Sequence, residues 1–508
     1  MAELVEELAR QVPDLCKLEP FAGATAHTPN LADPEVKLHR KLCGSLQEAI
    51  EKSDLRDGMT ISFHHAFREG DKVINQVVGK LAEMGFRDLT LATSSLLNCH
   101  DPLVAHLKSG VITQIYTSGL RGKVGDAISH GIMRRPVQIH SHGGRANLLQ
   151  TGELKIHVAF LGVSCCDEFG NGNGSHGELN CGALGYAKVD AQYARTVVLL
   201  TPEIVPFPNH PASISQDEVD LIVHLDEVGD PKLISKGAAR TTRNPRELLI
   251  ASHAADVVEH SHYLRDGFSV QTGSGASSIA ATQFIGEKMT AKGITASFAL
   301  GGITGGIADL HAKGLIKTLI DVQSFDIDAA KSLRQSPAHI EISANEYANA
   351  TSKGAYVDRV DVVILAALEI DLAFNVNVIT GSDGVLRGAS GGHCDVAAAA
   401  NLAIVVAPLV RGRMPTVVNK VTTVITPGES IGVLVTDQGI AVNPNRPELA
   451  KRLLDAGLPM VAIEELHRRA VALTGVPEPL RFLDRIVAVI RYRDGTVIDV
   501  VRQVDERE

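Results

Sequence analysis

The chain has 508 residues and a net charge of -10; 44% of its residues are apolar and 21% are charged. This composition excludes a disordered or fibrous chain, and the length suits two or three α/β domains. The acidic balance, without a long cluster of Lys and Arg, predicts no nucleic-acid partner.

The first forty residues lack the pattern of the rest of the chain. The start, MAELVEELAR, is acidic and has no signal-peptide core, and no later apolar run reaches about 18 residues. We therefore expect a cytoplasmic protein with no membrane segment. Residues 1–40 also contain Pro13, Pro20, Pro29 and Pro34. They predict an N-terminal arm that wraps the body or a neighbouring subunit, with a mobile tail as the alternative.

Short β-branched or apolar runs, each followed by a small-residue loop and a helical pattern, recur through the rest of the chain. In order they are TISF, DLTLATSS, VAFLGVS, TVVLLTP, DLIVHL, FSVQ, DVVILAALE, LAIVVAP and IGVLVTD. Strands that alternate with helices predict βαβ units. A core of Val, Ile, Leu and Ala, in a chain without Trp, fits parallel sheets buried under helices.

The sequence contains an internal duplication. HVAFLGVSCCDEFGNGNG from His157 aligns with DVVILAALEIDLAFNVNV from Asp361, an offset of 204 residues (361 − 157), and three further pairs of segments occur in the same order at this or nearby offsets. We predict an α/β fold of two tandem related open halves with mostly parallel sheets, at 41–235 and 236–508, after the arm at 1–40. The last strands, around the turn Asp494-Gly495, predict a hairpin that completes the second half's sheet.

Two loops follow equivalent predicted strands in the two halves. Gly273 and Gly275 precede a helical run, and a glycine loop at a helix start offers free N–H groups to an anion. The pattern is a poor dinucleotide fingerprint, because its last glycine is replaced by Ser278. The first-half loop instead carries His64, His65 and Arg68. A tight packing turn is the alternative for each loop.

The segment GSDGVLRGASGGHCD is denser in glycine than a turn requires. Gly391 and Gly392 would let main-chain N–H groups approach a developing oxyanion. QIHSHGGRANLL is a second candidate for this role. Arginines near these loops are candidates for binding a carboxylate substrate, namely Arg68, Arg121, Arg145, Arg387, Arg411 and Arg413.

Histidines and cysteines are also candidates for metal binding or nucleophilic catalysis. His140 and His142 with Cys165, Cys166 and Cys181 lack the spacing of a structural zinc site, so we predict no metal. A Cys nucleophile with a His base remains an alternative, but buried inert cysteines are commoner.

Ten motifs together resemble the citrate lyase α-chain family over essentially the whole length. They are KLCGSLQEAI, DGMTISFHHAFREGD, YTSGLRG, VQIHSHGGR, VAFLGVSCCDEFGNGNG, TRNPRELLIA, DVQSFD, LEIDLAFNVNV, GSDGVLRGASGGHCD and VTDQGIAVNPNRPELA. The resemblance implies a CoA-transferase fold and a transferase that exchanges acetate for citrate on a thioester. The implied thiol belongs to CoA or to a dephospho-CoA-type group on an acyl carrier protein, the γ subunit, and no cofactor is tightly bound. A β subunit would then cleave the citryl thioester, and we expect an oligomer.

Many CoA transferases of this fold use a covalent glutamate, and the resemblance places Gly301 at that position. We therefore expect direct attack by citrate in a ternary complex, although Glu341, Glu346 and Glu369 remain candidate acids. The predicted roles are an oxyanion site at Gly391 and Gly392, a thioester-arm site at Gly273, Gly275, Gly388 and Ala389, and citrate contacts at His64, His65, Arg68, Arg145 and Arg387. The alternatives are an acyl-CoA hydrolase, a covalent-glutamate CoA-transferase, or a non-catalytic scaffold that docks the carrier protein.

Overall fold

The alternation of strands and helices produces two large sheets in the computed structural model, which describes residues 2–11, 41–234 and 242–505. The strands are β1 (Leu42–Cys43), β2 (Thr60–Phe63), β3 (Leu89–Thr93), β4 (Ile112–Thr117), β5 (Val137–Ile139), β6 (Val158–Gly162), β7 (Cys165–Asp167), β8 (Gly172–Asn173), β9 (Thr196–Thr201), β10 (Ile204–Val205), β11 (Leu221–His224), β12 (Ser269–Thr272), β13 (Ala296–Ile303), β14 (Ile316–Ser324), β15 (His339–Glu341), β16 (Val362–Ala366), β17 (Glu369–Asp371), β18 (Val376–Asn377), β19 (Leu402–Val406), β20 (Val410–Arg411), β21 (Met414–Pro415), β22 (Val417–Val418), β23 (Val433–Thr436), β24 (Gly439–Val442), β25 (Phe482–Arg491) and β26 (Val497–Val504).

Helices connect most of the parallel strands. They are α1 (Ala2–Gln11), α2 (Leu46–Lys52), α3 (Val73–Glu83), α4 (Leu103–Ser109), α5 (Gly122–Ser129), α6 (His142–Gln150), α7 (Gly185–Tyr193), α8 (Pro231–Ile234), α9 (Pro245–His260), α10 (Ala276–Lys292), α11 (Gly305–Ala312), α12 (Ile327–Gln335), α13 (Ala344–Ala348), α14 (His393–Ala399), α15 (Pro447–Asp455) and α16 (Ile463–Thr474). Most of the predicted N-terminal arm, residues 12–40, lies outside the described residues, as does the predicted boundary at residue 235. Both stay predictions. None of the helices in the described ranges is long and apolar enough to cross a membrane.

The two large sheets have the same strand order. The first runs β5-β4-β3-β2-β6-β9-β11, with β1 beyond β11, and the second runs β15-β14-β13-β12-β16-β19-β23, with β24 beyond β23. All neighbours in these two series are parallel except β23 and β24. The prediction of two related α/β halves with mostly parallel sheets is confirmed.

The predicted offset of 204 residues relates the boundaries of three strands in the first half to those of three strands in the second. β6, β7 and β8 become β16, β17 and β18 when 204 is added to their residue numbers. In each half the short strand after the long one ends in an aspartate whose side chain accepts hydrogen bonds from main-chain amides of the following turn, three at Asp167 and two at Asp371. The repeat therefore preserves local hydrogen bonding as well as strand order.

The C-terminal hairpin corrects one prediction. β25 and β26 pair antiparallel around the predicted turn, but β25 also pairs parallel with β5, placing Ala488 opposite Val137 and Ile490 opposite Ile139. The hairpin thus extends the first half's sheet, and its assignment to the second half was wrong. A hairpin pattern is local, so it carries no information about which distant sheet edge will accept the strand.

The halves meet through a shared apolar core. Alternating residues of β16 point to opposite faces, as strand geometry requires. Val363 and Leu365 join a core that includes most buried residues of the first half, whereas Val362 and Ile364 join a second core under the helices of the second half. One face of the second sheet is therefore packed against the first half. We call the loops at this junction the seam: the loop after β2 with His64, His65 and Arg68, the segment 388–392, and the loop after β12 with Gly273 and Gly275.

Candidate active site in the seam between the halves

The carboxyl ends of parallel strands gather at one edge of a sheet, and the loop after β2 meets a loop of the second half there. Arg68 lies in this loop with φ +54°, and only 6% of its surface is exposed. Its guanidinium donates to the Ser324 carbonyl and lies 5.0 Å from the centre of the Phe325 ring. Its Nε has no partner, and no carboxylate in the described ranges forms an ion pair with it.

Burial lowers the pKa of Arg68 to about 10, so the side chain stays charged at neutral pH. The Asp321 carboxylate attracts this cation but forms no direct ion pair with it, so the loss of water around the guanidinium is only partly compensated. An anion that binds beside Arg68 would compensate this cost and stabilise the site.

The two histidines of the same loop have different surroundings. His64 uses both ring nitrogens inside the first half: Nε2 donates to the Gly162 carbonyl at 2.8 Å, and Nδ1 accepts from the Ala66 amide at 3.3 Å. His65 contacts the Ser94 hydroxyl through Nδ1 and stacks on Tyr186, with ring centres 5.4 Å apart. Burial lowers the pKa of both imidazoles, so both are neutral at pH 7. His64 holds the loop, and His65 lines the seam.

The glycine-rich segment of the second half crosses to the first half along the seam. Its main-chain carbonyls accept from Leu120 (to Gly388, 3.0 Å) and from His142 (to Gly391, 2.9 Å). Ser390 donates back to Ser118 at 2.7 Å, and Ala389 forms a β-bridge with Gly119. A Cβ at Gly388 would overlap the Val378 carbonyl, so only glycine fits there.

Gly391 and Gly392 lie at the half-buried tip of this segment. Gly391 has φ +54°, a conformation that other residues rarely adopt. Neither amide donates a hydrogen bond to any residue that the structure describes. The segment therefore presents two adjacent N–H groups, which are available to a ligand oxygen.

A buried carboxylate on α14 locks the two halves together beside this tip. Asp395 accepts from the Ser141 hydroxyl at 2.7 Å and from the Gly143 amide at 2.9 Å. Burial raises the pKa of Asp395 to about 6 despite these donors. Sequence reasoning missed Asp395, although it is the last residue of the segment that was singled out.

The loop after β12 forms the neighbouring wall. It leads into the 17-residue helix α10, whose N-cap Gly275 provides no side-chain hydrogen bond, and the Ser278 hydroxyl is buried without a partner. A Cβ at Gly275 would lie 2.7 Å from the Ala366 Cβ. The Ala366 carbonyl in turn lies 3.2 Å from His393 Nε2 at the start of α14, so this loop adjoins the Gly391 segment. The free amides and the positive end of α10 suit an anionic group.

Two predicted substrate arginines have carboxylate partners elsewhere. Arg145 forms a bidentate pair with Asp190, and the side chains are 2% and 0% exposed. Arg387 is half-exposed and pairs with Asp383 at 2.7 Å and with Asp126 at 3.2 Å. Both guanidinium groups are therefore ion-paired, whereas Arg68 forms no ion pair with a described residue.

The position assigned to a covalent glutamate holds no acid. Gly301 has φ +99°, and a Cβ there would lie 2.8 Å from the carboxamide carbon of Gln271. The three other candidate acids bind protein groups: Glu341 accepts from the Leu184 amide, Glu346 caps α13 through Ser343, and Glu369 accepts from Thr422 and Asn377. Burial also raises the pKa of the Cys166 and Cys394 thiols, which disfavours a thiolate nucleophile.

Known proteins match this chain over nearly its full length. The family described as citrate lyase, alpha subunit (CitF), matches residues 39–504. The citrate lyase alpha chain of Klebsiella pneumoniae is 64% identical over 504 residues, or 99% of each chain. A crystal structure of a citrate lyase alpha subunit from Streptococcus mutans in complex with citrate is 55% identical, with a TM-score of 0.90 over 92% of both chains.

A more distant structure shares the fold. The malonate decarboxylase alpha subunit of Acinetobacter baumannii is 15% identical, with a TM-score of 0.63 over 88% of this chain and 96% of that one. The family match and the high identity over full coverage agree with each other. The chain belongs to the citrate lyase α-subunit family.

Proposed function

We propose that the chain transfers a thioester from acetate to citrate, producing a citryl thioester and acetate. The observation that carries the proposal is Arg68, a buried cation that forms no direct ion pair with a described residue, in a seam that also presents the free Gly391 and Gly392 amides. The Streptococcus mutans relative, crystallised with citrate, supports the choice of anion.

The chemistry consists of two acyl transfers. A citrate carboxylate oxygen attacks the acetyl carbonyl carbon, the carbon–sulfur bond breaks, and a citryl-acetyl anhydride and a thiolate form. The thiolate then attacks the citryl carbonyl, and acetate leaves with the bridging oxygen. No net proton is consumed. Each step passes through an oxyanion, for which main-chain N–H groups at Gly391 and Gly392 are suitable donors.

Arg68 and His65 are the citrate contacts that this mechanism requires on the first-half side. The α10 start, with Gly273 and Gly275, and the wall at Gly388 and Ala389 hold the thioester arm. We assign His64, Arg145 and Arg387 to structural contacts, because both ring nitrogens of His64 have main-chain partners and the two guanidinium groups form ion pairs with carboxylates.

Direct attack by citrate is favoured over a covalent glutamate. Gly301 cannot act as a nucleophile, and the carboxylates of Glu341, Glu346 and Glu369 bind protein donors. Positioning of the two substrates then supplies the rate enhancement, together with the oxyanion donors.

The natural thioester donor is the acetyl group on CoA or on the dephospho-CoA-type arm of an acyl carrier protein, with no tightly bound cofactor on this chain. We infer that the γ carrier and the β citryl lyase subunits are its partners in an oligomeric complex. The family membership supports this assembly, which co-purification of the three chains would test.

The decisive experiment incubates the purified chain with acetyl-CoA and citrate labelled with ¹⁸O in its carboxylates. In a single turnover, direct attack delivers one ¹⁸O atom from citrate to acetate, and mass spectrometry detects citryl-CoA. A covalent glutamate would give unlabelled acetate in the first turnover, because that oxygen would come from the enzyme. A hydrolase would release acetate without citrate, and a scaffold would form no citryl-CoA. Any of these results overturns the proposal.

A further inference from the structure

His142, the first residue of α6, lies against the tip of the Gly391 segment. Its amide donates to the Gly391 carbonyl at 2.9 Å, and its Nε2 lies 3.6 Å from the position that a Cβ on Gly391 would occupy. The imidazole is therefore next to the two free amides of the tip.

The ring is positioned by aromatic neighbours and not by hydrogen bonds. Its centre lies 4.5 Å from the Tyr186 ring and 6.2 Å from the His65 ring. Nδ1 is buried and has no partner, while the residue as a whole is only partly buried. A side chain packed this firmly, with no hydrogen bond from either ring nitrogen to a described residue, keeps its polar edge available to a ligand.

The charge state of His142 suits a donor and not an acid. Burial, reinforced by the nearby Arg145, lowers its pKa to about 3, so the imidazole is neutral at working pH. A neutral imidazole carries one N–H and one lone pair. The tautomer with hydrogen on Nε2 directs that N–H toward the tip.

We propose that His142 is a further catalytic residue, whose Nε2–H donates a hydrogen bond to the oxyanion beside the Gly391 and Gly392 amides. The inference rests on the proposed transfer reaction and deepens it. His142 forms no covalent bond and gives up no proton: negative charge grows on the carbonyl oxygen as the attacking oxygen bonds to carbon, and it disappears when the thiolate or acetate leaves. The hydrogen bond is strongest while that charge exists.

The test compares His142→Gln with His142→Asn. The Gln amide nitrogen reaches roughly the position of Nε2, whereas the shorter Asn amide reaches only that of Nδ1, and both variants lose the same ring packing. We expect the kcat for citryl-CoA formation to fall about 10²- to 10³-fold in His142→Asn, the usual effect of removing one oxyanion donor. In His142→Gln it should recover to within about tenfold of wild type. The KM for citrate should change little in either variant.

Citrate binding by calorimetry and thermal unfolding separate catalysis from folding. Both variants should bind citrate and melt within a few degrees of each other. Equal kcat losses in the two variants, a loss confined to KM, or failure of either variant to fold or bind citrate would make His142 a structural residue and overturn the proposal. If wild type itself forms no citryl-CoA, the proposed function fails instead, so the two failures are distinguishable.

Discussion

Two pairs of equivalent loops in the halves have diverged to very different degrees. After β7 and β17 the turns are nearly identical: Asp167 accepts from the amides of Phe169 and Asn171, both at 3.0 Å, and Asp371 accepts from residues 373 and 375 at 3.0 and 2.9 Å. An aspartate whose carboxylate accepts hydrogen bonds from the main-chain amides of its own turn stabilises that turn wherever it occurs. The duplication has kept it in both halves.

The loops after β2 and β12 share no such pattern. One carries His65 and the unpaired cation Arg68, and the other is a glycine loop before a long helix. The difference shows that strand order and the turn after β7 or β17 belong to the scaffold shared by both halves. The loops at the carboxyl edge of the two sheets differ in sequence and in their proposed function. The same contrast between scaffold and site separates the two buried arginines, Arg145 and Arg68.

The largest expected effect tests the scaffold side of this contrast. Arg145→Met leaves Asp190 buried without its partner, so the free energy of unfolding should fall by about 3–5 kcal/mol in urea denaturation. The double variant Arg145→Met/Asp190→Leu should regain much of that loss. A single variant within 1 kcal/mol of wild type would contradict a structural role for this pair.

Arg68→Met should show the opposite behaviour. Because Arg68 forms no direct ion pair with a described residue, its removal should lower the free energy of unfolding far less than removal of Arg145 does. The kcat/KM for citrate should nevertheless fall by about 10²- to 10³-fold, as expected when a charged hydrogen-bond partner of the substrate is lost. Arg87→Met, at an exposed position just before β3, serves as the control. Normal kinetics in Arg68→Met would move the citrate site elsewhere.

Gly392→Val tests whether the tip of the glycine segment belongs to the site. The new Cβ would lie 2.5 Å from Tyr347 Oη, which accepts from Gln271, so the tip must shift. We expect turnover to fall about 10²-fold while the fold survives. Gly79→Ala, in a helix position where a Cβ meets nothing within 4 Å, is the matched control. Near-wild-type turnover in Gly392→Val would remove this segment from the mechanism.

Asp395 should give a smaller, pH-dependent effect. Its folded-state pKa of about 6 exceeds the ordinary value of 3.8, so the folded chain holds its proton more tightly than the unfolded chain. Stability contributed by the protonated form is present at low pH and is lost as pH rises through about 6, by about 3 kcal/mol. Relative to Asp395→Asn, wild type should therefore be more stable at pH 4 than at pH 7. A pH-independent difference in melting temperature would contradict the raised pKa.

Local features of this fold were predictable from sequence, whereas contacts between distant segments were not. Apolar runs such as TISF and LAIVVAP became β2 and β19 because a strand buried on both faces needs only local apolar residues. Arg145 and Arg68 are indistinguishable in sequence, since Asp190, the ion-pair partner of Arg145, lies 45 residues further along the chain. The roles of Asp395 and His142 were not predicted for the same reason: their contacts cross from one half to the other.

The C-terminal hairpin makes the first half dependent on the end of the chain. Until the ribosome has finished the last strands, β5 has only β4 beside it, and its other side is an open sheet edge that invites pairing with other chains. Cutting the gene between the repeats would thus yield an amino-terminal fragment lacking two of its own strands. A short carboxy-terminal truncation would remove part of this hairpin and so destabilise the sheet of the first half.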